Sequence, residues 1–240
     1  MTGSILNAVG IILGTLAGVS GKKLSSAHQS GCKTALGAFA AFLGLRLVWE
    51  GLNGSFRQIA GQMLIALIAL ILGRLLGRLL QLQKLSNRLG QYASGQIAGT
   101  VPGKKIPWSD GFNTCTALFC AAPLAVLGSV TDGLAGDFFP LALKAVMDAL
   151  AAMSFVGMFG AGGVAMSALP VFVWQGMLTL LCAAYAAPFV IQHHLLDPVN
   201  VVAGLQIVFV SLVIFEVRKI ELADYLPALA LAPLLAWIWH

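Results

Sequence analysis

The sequence predicts an all-α polytopic membrane protein with about eight transmembrane helices, seven being the alternative count. Three observations carry this. Of 240 residues, 59% are hydrophobic and only 10% charged, whereas a soluble domain carries about 25% charged residues. Mean hydropathy is +0.90. The apolar runs are also continuous over a helix's length, where strands of a transmembrane barrel would alternate apolar and polar residues. A spanning helix needs roughly 20 mostly apolar residues, so the chain reads as a single transmembrane domain over 1–240.

Taken in order, the spans fall at 3–21, 33–52, 58–81, 110–131, 139–160, 165–190, 199–216 and 222–239. The first is a true span rather than a cleaved leader, because Met1-Thr2-Gly3-Ser4 has no basic n-region and Asn7 interrupts its apolar run. Gly10, Gly14 and Gly18 form a ladder of small residues along it, and Gly73 with Gly77 form another in the third span. Small residues let backbones approach closely in lipid, so these faces are packing seams, either inside the bundle or against a second copy in a homo-oligomer. Trp49, Trp108, Trp237 and Trp239 stand at span ends, where amphipathic rings sit at the headgroup level.

Residues 83–107 form the longest segment outside the spans. Leu82, Leu85, Leu89 and Tyr92 recur there at helical spacing, which predicts an amphipathic extension along the membrane surface. Pro102-Gly103 then breaks the chain before Lys104-Lys105. Basic residues fix the orientation. Lys22, Lys23 and Lys33, then Arg74, Arg78, Lys84, Arg88, Lys104 and Lys105, then Arg218 and Lys219 share one side of an eight-span arrangement. By the positive-inside rule that side is the cytoplasm, which puts both termini outside it. The net charge of +5 is thus topological and implies no nucleic-acid partner; the bilayer is the expected partner.

Leu36 to Leu45 in the second span is echoed by Ala203 to Leu212 in the seventh, and the echo extends back to pair Asn7 with Gln175. Units five spans apart run in opposite directions, which suggests an inverted repeat of spans 1–3 and 6–8, a build shared by many secondary transporters.

The candidate site residues stand out against this apolar background. Asn113, Ser129, Pro123 and Gly128 make the fourth span polar and irregular. Asp132 and Asp137 follow in what reads as a short outer loop, serving either as helix caps or as a carboxylate vestibule for cations. Lys144 and Asp148 lie four residues apart within the fifth span, on one helical face and able to pair. Buried charges in membrane helices usually face the bundle interior and serve function. The glycines from Gly157 to Gly163 mark an unwound segment or a tight reversal, and Gln175 adds an amide to span six. Cys32, Cys115, Cys120 and Cys182 are single and lack metal spacing, so they read as packed apolar residues. His193, His194 and Asp197 read as a solvated loop rather than a metal set. No catalytic signature such as H-E-x-x-H or G-x-S-x-G is present, so no enzyme activity, cofactor or metal is expected.

These residues, in the order Leu118-Phe119-Cys120, Gly128-Ser129, Asp132-Gly133-Leu134, Gly136-Asp137, Lys144, Asp148 and Gln175, resemble a bacterial inner-membrane family, the domain of unknown function 554 (the YdfK/YqgA type). The likeness spans nearly the whole chain, including Asn7 and Asp224 to Leu229. It departs at Arg78, where the family often has glutamate, and at Ala149, where glycine is frequent. The resemblance implies a polytopic membrane protein loosely described as a transporter, without a substrate. The reading is a transporter or channel for a small ion or solute. Its polar path is formed by Asn7, Asn113, Ser129, Lys144, Asp148 and Gln175, with Asp132 and Asp137 at its mouth. The alternative is a scaffold or sensor whose buried polar residues are structural.

Overall fold

Continuous apolar runs fold as helices because lipid offers no partner to an open backbone, and the computed structural model of the chain is helical wherever it is regular. It describes residues 1–21, 25–98 and 108–239. Twelve α-helices follow in order: α1 Thr2–Val19, α2 Ser26–Gly51, α3 Phe56–Leu79, α4 Leu82–Ala98, α5 Trp108–Ala121 and α6 Pro123–Ala135. Then come α7 Phe139–Phe159, α8 Ala161–Met166, α9 Ala168–Leu181, α10 Ala187–Gln192, α11 Leu196–Ile214 and α12 Ala228–Trp239. Among the described residues seven helical runs are long and apolar enough to cross a membrane, and eight if the bent pair α5–α6 counts as one broken span. Their outward faces carry large apolar side chains such as Leu16, Phe42, Leu75, Leu169 and Tyr185. This is an all-α polytopic membrane protein.

Two expected spans are not simple rods. The fourth bends by 57° between α5 and α6. Pro123 opens α6, and a proline within a helix removes a backbone hydrogen bond and clashes with the preceding turn. The sixth span runs from Ala161 to Gln192, broken at Ser167 and carrying a π-turn at Cys182–Ala186. The glycine-rich stretch before it proves to be a tight reversal: Gly160, at φ 78°, lies between α7 and α8, a conformation open to glycine.

The glycine ladders are consumed inside the bundle. A Cβ at Gly10, Gly14 or Gly18 would strike the backbone of Ala145, Ala149 or Met153. The constant offset means α1 and α7 lie parallel. Gly44 and Gly204 meet each other's backbone, while Gly37 faces Phe215 and Gly51 faces Asp197, so α2 and α11 are antiparallel. Gly73 and Gly77 press on Ala228 and Asp224, which joins α3 to α12. The two ladders that could have served a homo-oligomer are therefore occupied by the chain itself. The α2–α11 crossing has the reciprocity an inverted repeat requires, and the other equivalent spans also meet, α1 on α9 and α3 on α12.

Basic residues gather at one end. Lys33 pairs with Glu216, and Glu221 takes Arg78 at 3.1 Å and Arg74 at 3.6 Å. The Arg78 hydrogen bond in particular holds the Glu221 carboxyl below the usual glutamate range. Helix α4 sits at this end as the sequence predicts, docked by Gln83, whose N–H donates to Asp224 Oδ1 at 2.9 Å while its Oε1 accepts from the Ala223 N–H. Its expected apolar stripe divides, with Leu82 and Leu89 half-buried and Leu85 and Tyr92 exposed. Pro102, Gly103, Lys104, Lys105, Lys22 and Lys23 lie outside the described residues.

Gly44→Val pushes a branched side chain into the Gly204 backbone, and overpacking of this kind costs about 1–3 kcal/mol. A lowered unfolding midpoint in detergent is expected. Gly61→Ala, where a Cβ meets open space, is expected to leave the midpoint at or above wild type.

Candidate functional site: a polar layer between four helices

Helix α7 carries the charges. Lys144 and Asp148 stand one turn apart on it and form an ion pair, with Lys144 2% and Asp148 7% exposed. The Lys144 ammonium also lies 5.8 Å from the centre of the Phe119 ring, presented by the last turn of α5. A desolvated cation over an aromatic face gains about 2 kcal/mol. The C-terminal end of α5, where carbonyl groups converge, favours positive charge in the same place. The break in the fourth span therefore faces the pair. Its last carbonyl, on Ala121, accepts from the Ser86 hydroxyl of α4 at 3.4 Å, which links the surface helix to the break.

Above the pair lies a layer of neutral polar groups. Asn7 Nδ2 donates to Gln175 Oε1 at 3.1 Å, across α1 and α9, and both residues are fully buried. The Asn7 side chain also reaches the Asp148 carboxylate, so α1 ties the layer to the pair. Ser4 sits one turn before Asn7, Thr179 one turn after Gln175, and Ser129 one turn before Asp132 on α6. All three hydroxyls are buried. Gly3 donates its N–H to Asp132 at 3.3 Å, and Gly133 rests on the Thr179 backbone, which holds the three helices in register. Ser4 Oγ, Asn7 Oδ1, Ser129 Oγ, Gln175 Nε2 and Thr179 Oγ1 are enclosed and have no hydrogen-bond partner among the described residues. Buried polar atoms are nearly always satisfied, so five orphans on three adjoining helices mark the place as unusual.

The sequence reading needs three corrections. Asn113 is exposed on α5 and takes no part; its neighbour Thr114 is the buried residue. Asp132 is not in a loop. Helix α6 continues through it and ends at Gly136, φ 70°, whose N–H returns to the Asp132 carbonyl while that of Asp137 returns to Thr131, a left-handed glycine stop of the αL kind. The Asp132 side chain is buried, accepting from Gly3 and standing 3.2 Å from the Met1 amine. Asp137 forms no open vestibule either: it caps α7 through the Phe139 N–H at 3.1 Å and pairs with Arg46 at 2.5 Å. Arg46, inside the second span, was missed; its guanidinium also lies over the Phe139 ring and binds Glu50. Ser4 and Thr179 were missed as site residues, although hydroxyls spaced one turn from lone amides in apolar helices were visible. His193 packs against Phe189 and Trp237, and among the described residues no three His, Cys, Asp or Glu side chains are grouped to hold a metal.

A cleft of about 730 Å³ opens on an adjoining face of α7, lined by Gly18, Cys32, Lys33, Met147, Ala151 and Ser154 among others. Lys144 and Asp148 do not line it. The model of the family described as "Protein of unknown function (DUF554)" matches residues 2–237. The chain belongs to this family. As a DUF554 member it is 28% identical over 242 residues to the "Uncharacterized membrane protein YdfK" of Bacillus subtilis (strain 168), covering 100% of this chain and 97% of the relative. It is 25% identical to the "Uncharacterized protein YqgA" of Escherichia coli (strain K12), covering 99% and 97% respectively. No solved structure matches.

Removing one partner of a buried ion pair strands the other charge, at a cost of about 3–5 kcal/mol, whereas replacing both with apolar residues is often neutral. Lys144→Met and Asp148→Leu alone are expected to lower the thermal midpoint sharply in this DUF554 protein. The double variant is expected to recover most of the loss, as read by fluorescence-detected gel filtration after heating.

Proposed function

We propose that this protein is a transporter of a small ion or solute, not an enzyme, working in the bacterial inner membrane. The observation that supports it most is the enclosed layer itself. A charged pair at the break of a spanning helix adjoins, through Asn7, a cluster of enclosed amide and hydroxyl atoms that have no partner among the described residues. Broken helices and intramembrane charges are the usual furniture of transport sites, and a merely structural polar cluster gains nothing from orphaned atoms.

In this reading the basic end bearing Lys33, Arg74 and Arg78 is cytoplasmic and both termini are outside. The cleft on α7 is then an inward approach, and α7 is the wall between it and the polar layer. A second reading, a scaffold or sensor, draws on one observation: the pair is shut off from the cleft, as a purely structural element would be.

Two measurements separate these. In proteoliposomes, solid-supported-membrane currents and tracer uptake over a panel of inorganic ions and small metabolites are expected to detect flux in the wild type. Asp148→Asn is expected to abolish it; wild-type rates in that variant sink the role given to the pair. For orientation, Cys32 lines the cleft, so a membrane-impermeant maleimide is expected to label it in inside-out vesicles and not in intact spheroplasts.

A further inference from the structure

The cleft beside α7 has a chemistry of its own, separate from the sealed layer. Its volume, about 730 Å³, falls within the roughly 300–1,000 Å³ of sites that take small organic molecules. Leu36, Met147, Leu150, Val213 and Ile214 give it apolar walls, and methionine adapts to bodies of differing shape. Lys33, half-exposed, is the only charged residue lining it among the described residues. An apolar pocket with one well-placed polar group is the usual build of a small-molecule site.

The partner of Lys33 sits on unusual backbone. Lys33 pairs with Glu216, whose φ is 58°. The Val217 N–H returns to the Leu212 carbonyl and the Glu216 N–H to that of Val213. Helix α11 thus ends in a Schellman stop, whose left-handed position glycine usually fills. A glutamate adopts that conformation less readily than glycine; what it supplies instead is a carboxylate for Lys33. The pair is open to solvent, with side chains 47% and 76% exposed, and exposed ion pairs are weak. Glu216 is therefore a counter-ion that another anion can replace.

We infer that the cleft is a binding site for an organic monoanion, a carboxylate joined to an apolar body of medium-chain size. The ligand carboxylate takes Lys33 from Glu216, and its body lies against the apolar walls. One lysine matches one negative charge, whereas a phosphate monoester, with nearly two, brings a charge that no second cation in the cleft meets. Occupancy of this cleft requires no flux and is independent of the transport reading.

The test follows the rate at which a maleimide modifies Cys32, which lines the cleft, by peptide mass on the full-length protein in phosphatidylcholine nanodiscs. Decanoate is expected to slow the modification saturably. Decanol and decyltrimethylammonium are expected to be weaker by roughly tenfold or more, the margin of a hydrogen bond to a charged group. Lys33→Met is expected to raise the half-protecting decanoate concentration by a similar factor, and Lys33→Arg to restore it to within a few-fold. Glu216→Gln removes the competing carboxylate, so it is expected to lower that concentration by up to about fivefold; a merely structural pair gives no such gain. Both side chains are exposed, so thermal midpoints of the variants are expected to stay near wild type. Equal protection by decanoate and decanol overturns the assigned charge. Protection in phosphatidylglycerol nanodiscs that added decanoate does not increase puts a bilayer lipid in the cleft and overturns the ligand. Absence of saturable protection overturns the site itself, and Asp148-dependent flux still decides the transport reading.

Discussion

A lysine and an aspartate inside an apolar bundle can persist only as partners, and much of the architecture follows from housing Lys144 and Asp148. An unpaired charge at membrane depth costs roughly 2.5–3.5 kcal/mol even on lenient insertion scales. The pair must therefore be shielded on every side. The face of α7 that carries it is covered by α1, α5 and α6, and the cover is close because Gly10 and Gly14 bring the α1 backbone onto Ala145 and Ala149. The seam and the charge are one design: without small residues on α1, Asn7 would not reach Asp148.

The same demand explains the broken fourth span. A straight helix through residues 108–135 would carry its backbone past the pair with every carbonyl already bonded within the helix. Bending at Pro123 turns the end of α5 toward the lysine, where converging carbonyl groups stabilise positive charge, and places the Phe119 ring against the ammonium. The freed Ala121 carbonyl is met by Ser86, so a helix outside the spans completes a hydrogen bond that the break opened. Because α4 is fixed at its start by Gln83 on Asp224 and Ala223, this contact couples the surface helix, the α3–α12 seam and the break.

The sequence revealed whatever rests on composition and on helix period. The spans, the surface helix and the i,i+4 pair could all be read, since hydropathy and spacing determine them directly. The echo marked Asn7 and Gln175 as equivalent lone amides, but that they bond to each other is a fact of the packing that the echo did not contain. What escaped were facts of rotation and termination. Asn113 and Thr114 are neighbours, and only the azimuth of a short, bent helix decides which one faces inward. Asp132 looked like a loop residue because Asp-Gly suggests a turn. Helix α6 nevertheless continues for another turn, since Gly133 lets it pack on the Thr179 carbonyl. Arg46 was concealed by its apolar neighbours, and its role depends on Asp137, a residue 91 positions away.

Helix α7 emerges as a two-faced wall. One face presents Lys144 and Asp148 to the closed layer, and the adjoining face presents Met147, Ala151 and Ser154 to the cleft. Ala151 stands seven residues after Lys144, almost two full turns, so the open side of α7 directly adjoins the sealed one. The α1–α7 seam is made of α1 glycines against the backbone of Ala145, Ala149 and Met153, with the Leu141 and Val156 side chains at its ends. The α5–α6 bend, where the ladder of backbone hydrogen bonds is interrupted, lies against that same pair through Phe119, so the least regular part of the bundle and its buried charges meet at one place.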